Sequence, residues 1–154
     1  MSGLDQLYQQ LILDHAKRRT GNMPLLGAAE PPVGASHQIN PTCGDEITVE
    51  ARRDPATGRL LVRWDGEGCS ISMASASAMT ELAEECDPEG FNALEARFHE
   101  LMHSRGQAQP DEEALGDAAA FAGVSKFPAR VKCALLAWMA LKDAVYQIEG
   151  ADRA

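Results

Sequence analysis

Three cysteines and one aspartate are the residues of this chain whose types and surroundings suit metal chemistry. Cys43 and Asp45 lie in Asn40-Pro41-Thr42-Cys43-Gly44-Asp45, Cys69 in Gly66-Glu67-Gly68-Cys69-Ser70, and Cys133 ends Phe127-Pro128-Ala129-Arg130-Val131-Lys132-Cys133. Three soft thiolates and a carboxylate supply the four ligands of a tetrahedral zinc ion, and a site closed partly by oxygen exchanges more readily than a four-thiolate clamp. Cys43 and Asp45 are two apart, so extended backbone sends both side chains the same way, while Gly44 between them permits a tight bend. Cys69 stands where two glycines free the backbone and a helix begins, and the positive end of that helix favours a thiolate. Cys133 falls in the second turn of the last helix. Arg130 lies one turn earlier on the same side, with Lys132 adjacent, and is the candidate for steadying an anionic sulfur product. Cysteine is also a common core residue. One such cysteine would read as packing; three at element starts, with an aspartate at strand spacing, read as a shared site. Cys86, beside Asp87-Pro88, reads as an ordinary, partly exposed thiol.

A second zinc motif competes. His99-Glu100-Leu101-Met102-His103 matches H-E-x-x-H, in which two histidines one turn apart bind zinc and the glutamate activates water for hydrolysis. It needs a third ligand, for which Glu112, Glu113 and Asp117 are the candidates. Phe98, Leu101 and Met102 already explain the helix by core packing. His15, on the apolar face of the first helix, reads as a packed core residue, and no spacing recruits His37.

The elements that must position these groups follow from periodicity. Leu4, Leu7, Tyr8, Leu11, Ile12 and His15 share one helical face, with Ser2 and Asp5 spaced like a capping box, and the helix ends near Thr20-Gly21-Asn22. Residues 23–34 lack periodicity and read as an extended connection over the surface. Ile47, Val49 and Ala51 alternate with polar residues, Asp54-Pro55-Ala56-Thr57-Gly58 turns the chain, and Leu60, Val62 and Trp64 alternate in return. His37 to Asn40 adds an edge strand stopped by Pro41. Cys69 to Glu85 is an Ala- and Ser-rich helix with Ile71, Ala74, Ala78, Leu82 and Glu85 on one row and Ser70 or Ser72 as cap. Phe91 to Met102 is amphipathic, a short helix surrounds Glu112 to Phe121, and Pro128 opens a last helix whose stripe runs from Val131 to Ile148. The fold class is α+β: a small antiparallel three-stranded sheet with helices on one face, as a single domain over residues 1–154.

With 154 residues and 45% hydrophobic content, the chain buries a core without disulfide staples. A formal net charge of -9 repels phosphate backbones, so nucleic acid is not an expected partner. No apolar run approaches the roughly 20 residues of a membrane span, and no charged start precedes an apolar run. The expected location is cytoplasmic, where four cysteines serve as thiols or ligands rather than disulfides.

Taken together, Asn40 to Asp45, then Gly66-Glu67-Gly68-Cys69-Ser70-Ile71-Ser72-Met73-Ala74-Ser75, then Lys126 to Trp138 resemble the SufU proteins of iron–sulfur cluster assembly, relatives of the IscU and NifU scaffolds. The likeness runs from about Leu4 to Ile148. It implies zinc held by Cys43, Asp45, Cys69 and Cys133. It further implies a SufS-like cysteine desulfurase as persulfide donor, with Cys43 leaving the zinc to accept sulfur while a histidine of the partner replaces it, and a downstream iron–sulfur scaffold as recipient. IscU-like scaffolds carry a histidine immediately before the last cysteine. Here that place holds Lys132, so sulfur relay is the expected activity and cluster assembly the alternative, with iron or an iron–sulfur cluster as transient cargo. A purely structural adaptor, in which zinc only folds the chain, is the remaining class.

Overall fold

The computed structural model describes residues 3–26 and 33–153. In chain order the elements are α1 (Gly3–Arg18), β1 (Gly34–Asn40), β2 (Asp45–Arg53), β3 (Leu60–Glu67), α2 (Ser70–Ala83), α3 (Pro88–Met102), α4 (Glu112–Leu115), a 3₁₀ segment (Gly116–Lys126) and α5 (Pro128–Arg153). The sheet is antiparallel in the order β1-β2-β3, with Asn40 opposite Asp45 and Val49 opposite Trp64. Ile47, Val49, Ala51, Leu60, Val62 and Trp64 are buried, the face that strict alternation predicts. α5 covers β1 and β2 on that face, and α2 lies beside it against β3.

The core is centred on aromatic rings. Trp138 of α5 stacks on Phe98 at 4.2 Å and on Phe91 at 5.9 Å, and Phe121 meets Phe98 edge-on. The buried indole N–H donates to Ser75 Oγ at 3.0 Å, and Ser75 donates in turn to the Ala134 carbonyl at 2.6 Å. Such a closed polar chain lets an apolar centre hold a donor without an unmet hydrogen bond.

α2 differs from the expected single stripe. Ten of its 14 residues are buried, nine of them in an unbroken run from Ser72 to Thr80 and the tenth at Ala83. Small side chains let α1, the sheet and α5 approach it from every side, so the row from Ile71 to Glu85 does not define its buried surface. On α1, Tyr8, Ile12 and Ala16 pack on the core and His15 is buried, whereas Leu7 remains 55% exposed. Ser2 and the side chain of Leu4 lie outside the described residues. The short helix expected over Glu112 to Phe121 stops at Leu115, where Gly116 takes φ 51°, and the chain continues as 3₁₀ turns to Lys126. Pro88 and Pro128 open α3 and α5, and Asp87 caps α3 by accepting the Gly90 N–H at 2.7 Å.

The connection after α1 begins as an extended crossing of the sheet. Asn22 bridges to Trp64 at the β3 edge, and the Leu26 N–H donates to Glu50 on β2. Residues 27–32 of that connection lie outside the described residues.

Candidate metal centre

The three sequence segments converge where the β1–β2 turn meets the N-terminal ends of α2 and α5. Asn40 ends β1 and its carbonyl accepts the Gly44 N–H at 2.8 Å, closing a turn in which Gly44 takes φ +76°. That left-handed value favours glycine, which is why the residue between Cys43 and Asp45 lacks a side chain. Cys43 is therefore carried by a turn and exposed, while Asp45 is the first, buried residue of β2. Extended alternation, expected from the two-residue spacing, is not what aligns them.

The ligand atoms of Cys43, Asp45 and Cys133 all lie within 4.8 Å of one another. Cys43 Sγ is 3.5 Å from Cys133 Sγ. Cys69 stands beside this trio, its Sγ 3.8 Å from Asp45 Oδ2. Tetrahedral zinc with bonds of about 2.3 Å to sulfur and ~2.0 Å to oxygen separates two sulfurs by ~3.8 Å and a sulfur from an oxygen by ~3.5 Å. The Cys43–Cys133 and Cys69–Asp45 spacings match such edges to within a few tenths of an ångström, whereas Cys69 is not among the groups whose ligand atoms all lie within 4.8 Å of one another; the soft, partly thiolate donor set suits zinc.

Asp45 is held by its surroundings. Ser72 Oγ donates to Oδ2 at 2.5 Å, and the backbone N–H of Cys69 donates to Oδ1 at 3.1 Å. Burial pushes this carboxyl up, but hydrogen bonds from Ser72, Cys133 and Cys69 outweigh it and keep Asp45 below the usual carboxylate range. Cys69 is the N-cap position of α2 without a side-chain cap bond, so Asp45 from the neighbouring strand satisfies that helix end. Ser72, expected as a local cap, is committed to Asp45 instead. Gly68 makes room for the carboxylate: a β-carbon there would come within 2.9 Å of Asp45 Oδ1. Burial raises the Cys133 thiol well above its ordinary value, assisted by hydrogen bonds to Asp45, Cys43 and Cys69. Loading an ion on Cys133 therefore requires expelling a proton.

Two roles escaped sequence reasoning. Ser72 orients the carboxylate, and Asn40 Nδ2 donates to Cys43 Sγ at 3.1 Å while its Oδ1 accepts the Thr42 N–H at 3.2 Å. The signal for both was a buried polar residue within a few positions of a candidate ligand. Arg130 is exposed, and its side chain makes no hydrogen bond or ion pair to the described residues. Cys86 packs against the core, its thiol raised by burial and by Asp87 and Glu85.

Comparison with known proteins gives the family of this chain. The family described as NifU-like N terminal domain matches residues 7–134. The chain belongs to that family. This NifU-like domain is 40% identical over 153 residues to the zinc-dependent sulfurtransferase SufU of Bacillus subtilis, covering 98% of this chain and 97% of that protein. It is 39% identical over 145 residues to the iron–sulfur cluster assembly scaffold protein IscU of Streptococcus pyogenes, covering 94% and 86%. The crystal structure of a putative scaffold protein for the SUF system from Fervidobacterium islandicum superposes with a TM-score of 0.76 at 28% identity, over 91% of this chain and 97% of that one. The α+β architecture of the NifU-like domain is thus shared with solved relatives.

Among the described residues, the second zinc motif gains no third ligand. His99 and His103 stack at 4.3 Å on the surface of α3, and His103 Nδ1 bonds the His99 carbonyl at 2.9 Å. Among the described residues, the other group able to converge on an ion is His15, Glu81 and Asp117. Its ring nitrogens are already taken, by Ser77 and Asp117, both at 2.8 Å, and Arg18 holds both oxygens of Glu81. His15 is the packed core residue that the sequence suggests. His37 bonds Thr48 and Glu46 on the outer face of the sheet. Among the described residues no helix is long and apolar enough to cross a membrane.

Proposed function

We propose that this chain accepts sulfur on Cys43 from a cysteine desulfurase and relays it within iron–sulfur cluster assembly, with Cys43, Asp45, Cys69 and Cys133 as the ligands of one zinc ion. The observation that carries the reading is a contrast inside one ligand set. Cys43 is exposed on a turn, whereas Asp45 and Cys133 are buried on a strand and a helix. A group that must meet a second protein needs access and freedom to move. When bound, zinc keeps the thiolates deprotonated and, lacking redox chemistry, does not oxidise the sulfur beside it.

The chain's own residues do the rest. The Cys43 thiolate attacks the outer sulfur of the donor's persulfide. A new S–S bond forms on Cys43 as the donor's S–S bond breaks, and the donor's cysteine leaves as thiolate, so no external oxidant or reductant is needed. Asn40 directs the Cys43 sulfur through its amide, and the turn lets it swing outward. Asp45, fixed by Ser72 and the Cys69 N–H, stays in place. Arg130, exposed and uncommitted near the start of α5, supplies the charge that steadies the anionic persulfide. The similarity to a zinc-dependent sulfurtransferase and to an iron–sulfur cluster assembly scaffold protein supports this reading.

The test is to incubate the zinc-loaded chain with a cysteine desulfurase and cysteine, then locate added sulfur by peptide mass spectrometry while measuring bound metal. Persulfide on Cys43, abolished by Cys43→Ser, is expected. Sulfur uptake that survives Cys43→Ser overturns the reading. The similarity to a named scaffold favours cluster assembly as the second reading, for which a stable visible absorption band after anaerobic loading with iron and sulfide is the evidence.

A further inference from the structure

We infer that the groove between α3, α5 and β1 receives an arginine side chain of the sulfur donor. Its floor is Glu95 of α3, whose side chain is 5% exposed. No hydrogen bond from the described residues reaches this carboxylate. The nearest cations are Lys142 Nζ at 3.6 Å and His99 Nδ1 at 3.8 Å, both beyond hydrogen-bond range and on side chains more than half exposed. Each oxygen thus has a cation nearby but no hydrogen bond, and a guanidinium arriving from outside can donate to both oxygens directly.

The groove, about 380 Å³, lies at the small end of the ~300–1,000 Å³ typical of ligand pockets. Its walls are Met139 and Tyr146, 50% and 70% exposed, with Gln38 of β1 opposite. Glu95 and Asp143 outweigh Lys142, so the lining favours a cation over an anion. Of the two basic side chains, arginine matches better. Its planar fork donates to both oxygens of a carboxylate, its plane stacks on an aromatic ring, and its aliphatic stem lies along a thioether wall. The formal charge of -9 points the same way, to a partner with basic groups on its docking face.

Continuity with the metal centre identifies that partner. Gln38 is two residues before Asn40, whose amide meets the Cys43 sulfur, and Ile39 between them is 56% exposed. Ile39 points to the opposite face, but Gln38 and Asn40 share one face of β1, so a protein seated over Cys43 and extending along that face reaches the groove. The assignment to the sulfur donor rests on the sulfur-acceptor reading above. It also gives a role to His99, left over from the H-E-x-x-H motif, as a flank of the groove.

The test is calorimetric binding of a cysteine desulfurase to the zinc-loaded chain and to Glu95→Gln and Tyr146→Ala variants, at low and moderate salt. Thermal unfolding and zinc content are measured on each variant. Each variant is expected to bind at least tenfold more weakly at low salt, with Glu95→Gln also showing a shallower salt dependence. Tyr146 is exposed, so its variant tests the groove even if Glu95→Gln folds poorly. Wild-type affinity in Tyr146→Ala overturns the inference, as does wild-type affinity in a folded Glu95→Gln, and so does tighter binding by Glu95→Gln, which would mean an anionic occupant. Persulfide formation on Cys43 of the unmodified chain by the same donor, run in parallel, separates the two failures. If Cys43 is charged and the variants bind normally, the groove alone is wrong; if Cys43 is never charged, the sulfur-acceptor reading fails and this inference falls with it.

Discussion

Replacing Ser72 by alanine probes the metal centre without touching a ligand. Ser72 and Asp45 are each 2% exposed, and their 2.5 Å hydrogen bond is the shortest contact the carboxylate makes. In the metal-free chain, thiols of Cys69 and Cys133 also donate to Asp45. Once those sulfurs act as ligands they no longer carry protons, which leaves Ser72 and the Cys69 N–H as the donors that hold Asp45. A hydrogen bond to a charged group contributes about 1.5–3 kcal/mol, and ~1.4 kcal/mol is a factor of ten. The expected loss in zinc affinity is therefore roughly 10- to 100-fold, the range seen when an outer-shell partner of a ligand is removed. Losing this donor also lets the Asp45 pKa rise. The variant's carboxylate then protonates at a higher pH than the parent's, and the affinity gap widens as the solution is acidified. Competition for zinc against a chromophoric chelator at pH 7.5 and 5.5 measures both effects, with thermal unfolding as the check on folding. Affinity within twofold of the parent at both pH values, in a variant that unfolds normally, would refute the claim that Asp45 is a ligand oriented by Ser72.

Other expectations follow from single contacts. Asn40→Ala removes the donor to Cys43 and the acceptor for Thr42, each about 1 kcal/mol, and is expected to slow sulfur uptake by roughly tenfold in a timed persulfide assay while zinc stays bound. Gly68→Ala puts a methyl group 2.9 Å from Asp45 Oδ1 and 3.2 Å from Ser72 Cβ, so the purified variant is expected to carry substoichiometric zinc by metal analysis. Burial raises the Glu81 pKa, but Thr20 and Arg18 outweigh it and the net value is depressed. Its stabilisation is thus present above the unfolded carboxylate value of about 4.3 and is lost as pH falls through the lower folded value. Because the pair is partly exposed, Glu81→Gln is expected to cost only about 1 kcal/mol at pH 7, a difference that urea unfolding shows shrinking toward zero in strong acid.

The hairpin was legible because its alternation is strict: Ile47, Val49 and Ala51 share a buried face with Leu60, Val62 and Trp64, Val49 standing opposite Trp64 and Ala51 opposite Val62, across a turn that begins with Asp54. Helix α2 was legible as a helix but not in its burial. A stripe argument assumes one wet face, and Ser72 to Thr80 has none, since small residues admit neighbours all round. The break at Gly116 was hidden by alanines that suit either helix type. At the candidate metal centre, residue type and order bring out Cys43, Asp45 and Cys133, which the structure gathers within 4.8 Å of one another, with Cys69 beside Asp45. What escaped was the set of groups that orient them. A serine near a helix start has a sufficient local explanation as a cap, and nothing in its own segment reveals a carboxylate donated by a strand 27 residues earlier. The H-E-x-x-H match fails for the converse reason: its spacing is right on α3, but a third ligand depends on packing that the motif does not encode.

The way the four candidate ligands are anchored bears on which of them can depart. Among the described residues, the Cys43 side chain hydrogen-bonds to Asn40 and Cys133 alone. Once both sulfurs are deprotonated ligands, withdrawing Cys43 breaks one amide–sulfur hydrogen bond and no core packing. Withdrawing Cys133 would pull on α5, which also carries Trp138, and withdrawing Asp45 would strand the Ser72 hydroxyl and the Cys69 N–H in a buried space. The difference is that between one hydrogen bond, about 1 kcal/mol, and unmet buried donors at ~1–3 kcal/mol each. Release of the exposed thiol therefore leaves a three-ligand remainder whose shape is fixed by contacts that do not involve it. That asymmetry is what the proposed sulfur-acceptor role requires: Cys43 can leave and return without the surrounding fold having to open.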